Sequence, residues 1–584
     1  MESKTASESA PSPQADQFSE CSSAELPDVS EELAEMRLVE GLERQASSSS
    51  AGGNGETGGG GDIGGGGASA LFADEDEEAS VLAVADVAAA PPASPPSAAE
   101  PQQQLAALRS AAAAAAAEVS STAAAAAAAG GSSAAPGGEP AAPAEAALAA
   151  HPRHVFVFST AGKPIFCYRG DESRLAGLMA TAKAILSVAH SKGHTLKHVR
   201  SGPHRFVFLE RPPLCLVGVS ALAEPPAVMR MQLSLVHGQI VSLLTSTALQ
   251  AMFARNPGYD ARRLLGGSEG TLRSLIHSFT AAPAALLGAY PSLPLLGGVR
   301  QALGAALAAA VKATGAVHGV VVAGGAVAAA CPCPGQAALQ QWDLLLLLNL
   351  LGASPSLRHS CEAMTPICLP RFNPAANLHA YIRYVDAPTQ TAIVLLCGGM
   401  PDPGALAAAA AHWQQQLEAI GALHALVQCA AREQQLAGGG GRDASSSGGE
   451  GALLAVDALP AAAGGGRFGT TPLLHFIYKL SARQQYVMSP FSAPLLEGGL
   501  QQSLIVAYSQ LRAAQYEGST LGGGALQRLR YEARPRFCLL GQVNQDTELY
   551  LVCDPLTVAA EAAALAARLG MWLHARHDQL FSLQ

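Results

Sequence analysis

His154-Val-Phe-Val-Phe-Ser159, continued by Ala161-Gly-Lys-Pro164 and Ile165-Phe-Cys-Tyr-Arg169, decides the fold. Val155 to Phe158 are β-branched or aromatic throughout, as in a buried strand. Gly162-Lys-Pro164 supplies turn chemistry, so Ile165 to Arg169 reads as the return strand of a hairpin. Asp171-Glu-Ser173 suits the positive end of a following helix, in which Leu175, Leu178, Ala182, Ile185 and Ala189 form one apolar stripe. Gly193 closes that helix. Three short strands follow at Thr195 to Arg200, Arg205 to Glu210 and Leu214 to Ser220, separated by Ser201-Gly-Pro203 and Arg211-Pro-Pro213. A second helix starts near Pro226 with Met229, Leu233, Val236, Ile240 and Leu244 on one face. Asn256-Pro-Gly258 breaks the pattern, and Thr271 to Phe279 is a last helix. The order β-β-α-β-β-β-α-α predicts an α+β domain, an antiparallel sheet flanked by helices. Phe156, Phe158, Ile165 and Leu178 are its expected core.

The rest of the 584-residue chain is long enough for more than one domain. Residues 1–150 are rich in Ser, Gly, Ala, Pro and Glu and offer little to bury, so they read as a disordered, low-complexity tail. Ser30 to Arg44 stands out, because Leu33, Met36, Val39 and Leu42 recur at near-helical spacing and make a candidate regulatory docking helix. Ala73-Asp-Glu-Asp-Glu-Glu78 is an acidic run. A net charge of −10 argues against a nucleic-acid binder. Eleven scattered Cys fit reduced thiols in the cytosol. Cys331-Pro-Cys333 lacks a second ligand pair at metal spacing and reads as a loop. No signal peptide opens the chain, and its apolar runs are too short or too weakly hydrophobic to span a bilayer. Membrane association is expected to be peripheral or through a partner.

No catalytic constellation for covalent chemistry emerges. The phosphate-loop, nucleophile-elbow and zinc-protease motifs are missing, and Ser159-Thr-Ala-Gly-Lys163 is better explained as a hairpin turn. His190, His194, His198 and His204 cluster in sequence without accompanying carboxylate or Cys ligands, so a metal-dependent enzyme is the weakest reading. No cofactor or metal is expected. With Lys192 and Lys197, His198 makes a candidate positive patch for a partner or an anionic headgroup.

Four stretches, in order, resemble the SAND family of vacuolar fusion proteins of the Mon-one type. They are His154 to Phe166; Arg255-Asn-Pro-Gly-Tyr-Asp-Ala-Arg-Arg-Leu-Leu-Gly-Gly-Ser268; Thr365-Pro-Ile-Cys-Leu-Pro-Arg-Phe-Asn373 with Leu378-His-Ala-Tyr381; and Leu474-His-Phe-Ile-Tyr-Lys479 with Glu548-Leu-Tyr550. Met364 stands where that family usually has an aromatic. The resemblance implies three consecutive longin-like (roadblock-like) domains. It also implies a guanine-nucleotide exchange factor working as a heterodimer with a Ccz-one-type longin protein. The GTPase would be of the late-endosomal Rab-seven type, and the complex would be recruited to late endosome and vacuole or lysosome membranes, with a phosphoinositide or other anionic surface. A non-catalytic trafficking adaptor is the alternative.

On that plan the first domain covers 151–280, a linker 281–313, the second domain 314–436, a Gly/Ser-rich linker or loop 437–467, and the third domain 468–584. The second has strands expected at His318 to Val322, Ile367 to Leu369, Leu378 to Val385 and Thr391 to Leu396, and helices at Leu339 to Leu351 and Ala405 to Leu436. The third has strands at Leu473 to Tyr478, Arg536 to Gly541 and Glu548 to Val552, and helices at Gln501 to Ala514 and after Pro555. The first domain's sheet edge and adjacent helix are the expected assembly surface, because an open edge needs covering.

Overall fold

The computed structural model describes residues 148, 151–169, 172–256, 258–437, 454–466, 469–491, 495–496, 499–520 and 526–582. The Leu33 to Leu42 segment and the acidic run lie outside the described residues, which all belong to one compact unit.

The first domain contains β1 (Arg153–Ser159), β2 (Pro164–Cys167), α1 (Glu172–Ser191), β3 (His198–Ser201), β4 (His204–Arg211), β5 (Leu214–Ser220), α2 (Pro226–Leu244), α3 (Ser246–Arg255), α4 (Arg262–Leu265) and α5 (Glu269–Ala281). Its antiparallel sheet has the order β2-β1-β5-β4-β3. Successive side chains of a strand point to opposite faces, and here both faces are dry. Phe156 and Phe158 pack with Met179, Ala182 and Leu186 of α1. Val155, Val157 and Ile165 pack on the other side with Leu233, Val236 and Ile240 of α2. Gly162 makes the hairpin turn at φ +85°, where a side chain would be strained. Phe156, Phe158 and Ile165 are therefore core, but Leu178 is only half-buried. The expected stripe is displaced by one residue. Both sets share Ala182 at helical spacing, and the flexible Met179 takes the place beside the phenylalanines.

The segment 281–313 is not a linker. It holds α6 (Ala284–Leu287), β6 (Tyr290–Pro291) and α7 (Gly297–Thr314), and Leu303, Leu307 and Val311 of α7 belong to the core of the second domain. That domain continues with β7 (His318–Ala323), β8 (Ala326–Pro332), α8 (Gln341–Ala353), α9 (Pro355–His359), β9 (Glu362–Ile367), β10 (Leu378–Asp386), β11 (Thr391–Cys397), α10 (Pro403–Ala419) and α11 (Ala422–Ala437). Its sheet order is β8-β7-β11-β10-β9. The single helix expected over Ala405 to Leu436 is two, broken where Gly421 turns at φ +71°.

The third domain holds β12 (Leu473–Leu480), β13 (Gln485–Met488), α12 (Leu500–Thr520), β14 (Leu529–Arg534), β15 (Phe537–Val543), β16 (Thr547–Cys553), α13 (Ala559–His574) and α14 (His577–Leu580). Within 437–467, residues 454–466 also belong to it, because Leu454, Leu459 and Ala463 are buried with Leu565 of α13. The sheet runs β14-β15-β16-β12-β13-β6. Its last member is the short strand from between the first two domains, paired parallel to β13. Beside that pairing Gln485 Nε2 donates to Tyr290 Oη at 2.8 Å, Ser292 Oγ donates to Leu580 O at 2.8 Å, and Arg300 donates to Leu293, Ala328 and Gln579 carbonyls.

The domains also share cores. One cluster runs from the α2 face of the first sheet through α5 and α8 to Val320, Ile382 and Val394 of the second sheet. Another joins Val228, Leu286 and Leu287 to Leu504, Tyr508 and Leu511 of α12. Inside it lies a buried ionic cluster. Glu548 on β16 accepts from Lys479 of the paired strand at 2.8 Å, from Arg512 of α12 at 2.8 Å, and from Tyr550 Oη at 2.7 Å. Lys479 is 0% and Glu548 1% exposed. Arg512 also donates to Leu286 O, at 3.1 Å, which ties the third domain to the end of the first.

Burial opposes charge on Glu548, but the Arg512 and Lys479 cations outweigh it and hold its carboxyl well below the usual carboxylate range. Glu548→Gln leaves two cations buried without their counter-charge and is expected to destabilise the protein by about 3–5 kcal/mol, measured by denaturant unfolding. Acid should do the same in two stages. Burial lowers His318, 1% exposed, to about 4 from 6.5. A base depressed in the folded state gives stability that is present above 6.5 and lost as pH falls towards 4. Glu548 likewise contributes above its unfolded value of 4.5 and loses that contribution below it. The thermal midpoint should fall in the first window, where burial depresses His237 and His475 as well, and His318→Phe should lessen that fall.

Candidate assembly surface of the first domain

The two edges of the first sheet are treated differently. β2 is closed. Lys163 in the hairpin turn donates to Gly258 O, and Arg273 of α5 donates to Tyr168 O at 2.6 Å while its guanidinium lies 5.5 Å from the Phe166 ring. Asn256 Oδ1 accepts from Gly258 N at 3.0 Å, and Tyr259 stands edge-on to Phe253. The stretch beginning at Arg255 is thus a cover over the β1–β2 hairpin.

β3 is open: among the described residues no strand pairs with its outer side. Phe208 N donates to Lys197 O at 2.9 Å, so Lys197 turns its main chain inward. Alternation then turns the main-chain groups of His198 and Arg200 outward. Lys192, Lys197, His198 and Arg200 are all exposed. They do not form one patch. Lys197 shares the α1 face with its cross-strand neighbour Phe208, whereas His198, opposite Val207, lies on the α2 face. Lys192 lies one residue past α1 and belongs to the α1 side. Between α1 and this edge Leu196, Val199 and Phe206 are only half-buried, because a single helix covers that face of a five-stranded sheet. An apolar margin therefore lies beside a row of unpaired main-chain groups.

The histidine cluster disperses. His190 Nε2 pairs with Glu210 at 2.9 Å, His194 and His198 are exposed, and His204 is half-buried in the β3–β4 hairpin. Among the described residues no three His, Cys, Asp or Glu side chains come together to hold a metal.

The other family-like stretches brace the fold. Asp343 of α8 is buried and accepts from Arg371 N at 3.0 Å and Phe372 N at 2.9 Å. Burial pushes its carboxyl up, and those two amides pull against that. The same loop reaches the α2–α3 junction, where Cys368 N donates to Ser242 O and Ser246 donates to Pro374 O. In the third domain His475 is buried, 2.8 Å from Tyr508 Oη and stacked on Phe491. Sequence reasoning missed Asp343, Arg512 and the buried cluster in which Glu224 accepts from Arg153, Ser220 and Gln232. A charged residue amid an apolar run, as Asp343 is in Gln341-Trp-Asp-Leu-Leu345, was the available signal.

Among the described residues each domain leaves the equivalent strand open: β9 and β14 also end their sheets. Pro366 lies within β9, and Glu532 pairs with Arg530 and Arg534 along β14, both devices that discourage indiscriminate pairing.

Residues 153–275, 314–415 and 472–577 match, in turn, the first, second and third longin domains of FUZ, MON1 and HPS1. The chain is 33% identical over 416 residues to the vacuolar fusion protein MON1 homolog of Arabidopsis thaliana, covering 70% of this chain and 66% of that one. It is 33% identical over 457 residues to the human vacuolar fusion protein MON1 homolog B, covering 76% and 78%. Against Protein SAND of Takifugu rubripes it is 30% identical over 442 residues, covering 75% and 77%. Three longin domains in this order, with these relatives over most of its length, show that the chain belongs to the MON1 (SAND) family.

Proposed function

We propose that this chain is one subunit of a heterodimeric guanine-nucleotide exchange factor acting in fusion at the vacuole or lysosome. Membership of a family whose relatives are named vacuolar fusion proteins supports the pathway. The observation that carries the assembly is the open β3 edge beside α1, in a domain whose other edge and other face are already covered. A second longin protein of Ccz-one type pairs there, and the composite surface takes a late-endosomal Rab-seven-type GTPase. Exchange needs no covalent chemistry; it needs a surface that binds the nucleotide-free GTPase more tightly than the loaded form. No helix among the described residues is long and apolar enough to cross a membrane. On this reading recruitment runs through contact with an anionic or phosphoinositide surface, with Lys192 and Lys197 among the contacts. Three open edges equally suit an adaptor that only assembles complexes, and kinetics separates the two readings.

Release of a fluorescent guanine nucleotide from the Rab-seven-type GTPase on vesicles should accelerate with this chain plus its Ccz-one-type partner, and not with either alone. An intact complex that leaves release unchanged would establish the adaptor reading instead. His198→Pro removes an outward main-chain donor without touching the core. It should weaken co-purification of the two subunits at least about tenfold while leaving the thermal midpoint unchanged. Undiminished co-purification would move the pairing surface elsewhere.

A further inference from the structure

Two hairpins from different domains meet at one turn. Arg205 on β4 donates to Glu224 O. Gln510 on α12 donates to the preceding carbonyl, Ala223 O, at 3.0 Å, and Arg534 at the end of β14 donates to Gln510 Oε1 at 3.0 Å. The β3–β4 hairpin of the first domain and the β14–β15 hairpin of the third therefore flank the turn at residues 221–224. Each ends in an open edge strand.

The side chains on these edges converge. Arg200 is the cross-strand partner of Arg205, on the face that carries Val207 and Leu209 towards α2. Arg530, Glu532 and Arg534 alternate on the face of β14 whose partners Leu539 and Phe537 pack with α12. α2 and α12 pack against each other, so both arginine rows overhang one seam. Arg536 is exposed in the adjoining turn. Glu532 lies 2.9 Å from both Arg530 and Arg534, and the Glu224 carboxylate is taken up by Arg153. Arg200, Arg205, Arg530, Arg534 and Arg536 thus outnumber the Glu532 carboxylate that pairs within the β14 row, and these strand edges carry more guanidinium than carboxylate groups.

We propose that this seam seats an acidic, extended segment of a partner protein. The open β14 edge, which a subunit paired on β3 leaves free, recognises extended main chain, and the guanidinium groups beside it recognise carboxylates with paired, charge-assisted hydrogen bonds. The charges line strand edges across a domain junction, beside unpaired main-chain groups, which favours a peptide over a bilayer. The proposal takes the β14 edge and arginine side chains only, and leaves the outward main chain of β3 to the second subunit.

The test is fluorescence polarisation of a fluorescein-labelled peptide of alternating Glu and Val with the full chain. Binding that falls steeply with salt, and is lost when Gln replaces Glu in the peptide, is the expected result. Arg200→Glu and Arg536→Glu, both at exposed positions, should each weaken it about tenfold with unchanged thermal midpoints. Lys312→Glu on α7 should leave it unchanged. No binding, or binding indifferent to both reversals, overturns the proposal. So does loss of binding to anionic vesicles in these variants with no peptide binding, which would assign the seam to lipid. Binding that appears only after residues 74–78 are neutralised would assign the seam to the chain's own acidic run and overturn the partner reading.

Discussion

A sheet whose strands are apolar on both faces must be covered twice, and that requirement shapes this chain. All residues of β1, β5, β7, β11 and β12 are buried. The first sheet has α1 on one side only and needs α2 and α5 on the other. Those helices in turn carry more apolar surface than one sheet can cover, so α8 of the second domain packs on them and brings the second sheet with it. α12 of the third domain packs against the α2 end in the same way. Burial of apolar area thus joins the three repeats, and individual hydrogen bonds fix how they are joined.

The polar groups inside these junctions specify register. Glu548 can satisfy Lys479 only if β12 and β16 pair with the observed offset, and can satisfy Arg512 only if α12 lies across them. Asp343 does the same for the loop at 371–372, and Glu224 for the turn into α2. Each would be costly if misplaced, since a buried charge without its partner loses its hydration and gains nothing. The apolar clusters tolerate approximate placement, whereas these groups admit one arrangement. The open edge beside α1 is held in place from within by this kind of bracing.

Much of the first domain was legible in the sequence because its strands are built of Val, Phe and Leu between clear turn residues. The second and third domains were legible only where that chemistry recurs. β8 is Ala326-Val-Ala-Ala-Ala-Cys-Pro332, and alanine carries neither β preference nor much apolar area. α7 was lost in the same way among Ala and Gly. β6 has two residues and exists only because β13 is beside it. At the candidate surface, the edge and its helix were legible as a place, from strand order and the need to cover an edge. The choice of Lys192, Lys197 and His198 as one patch failed because adjacent strand residues face opposite ways. Arg153 and Glu224 are 71 residues apart, and a single chain gives no sign of such a pair.

The parallel pairing of β6 with β13 has a consequence for how the protein is made. Gln485 finds its Tyr290 partner 195 residues earlier in the chain. During synthesis that short strand emerges first and must wait, unpaired, until the third domain follows it. A fragment beginning at residue 472, where the match to the third longin domain starts, would lack its outermost strand, and one ending at 577 would also lose the buried Leu580 and Phe581. The repeats are therefore modules in sequence but not in folding: the last one is completed by the oldest part of the junction, and the chain matures as one piece.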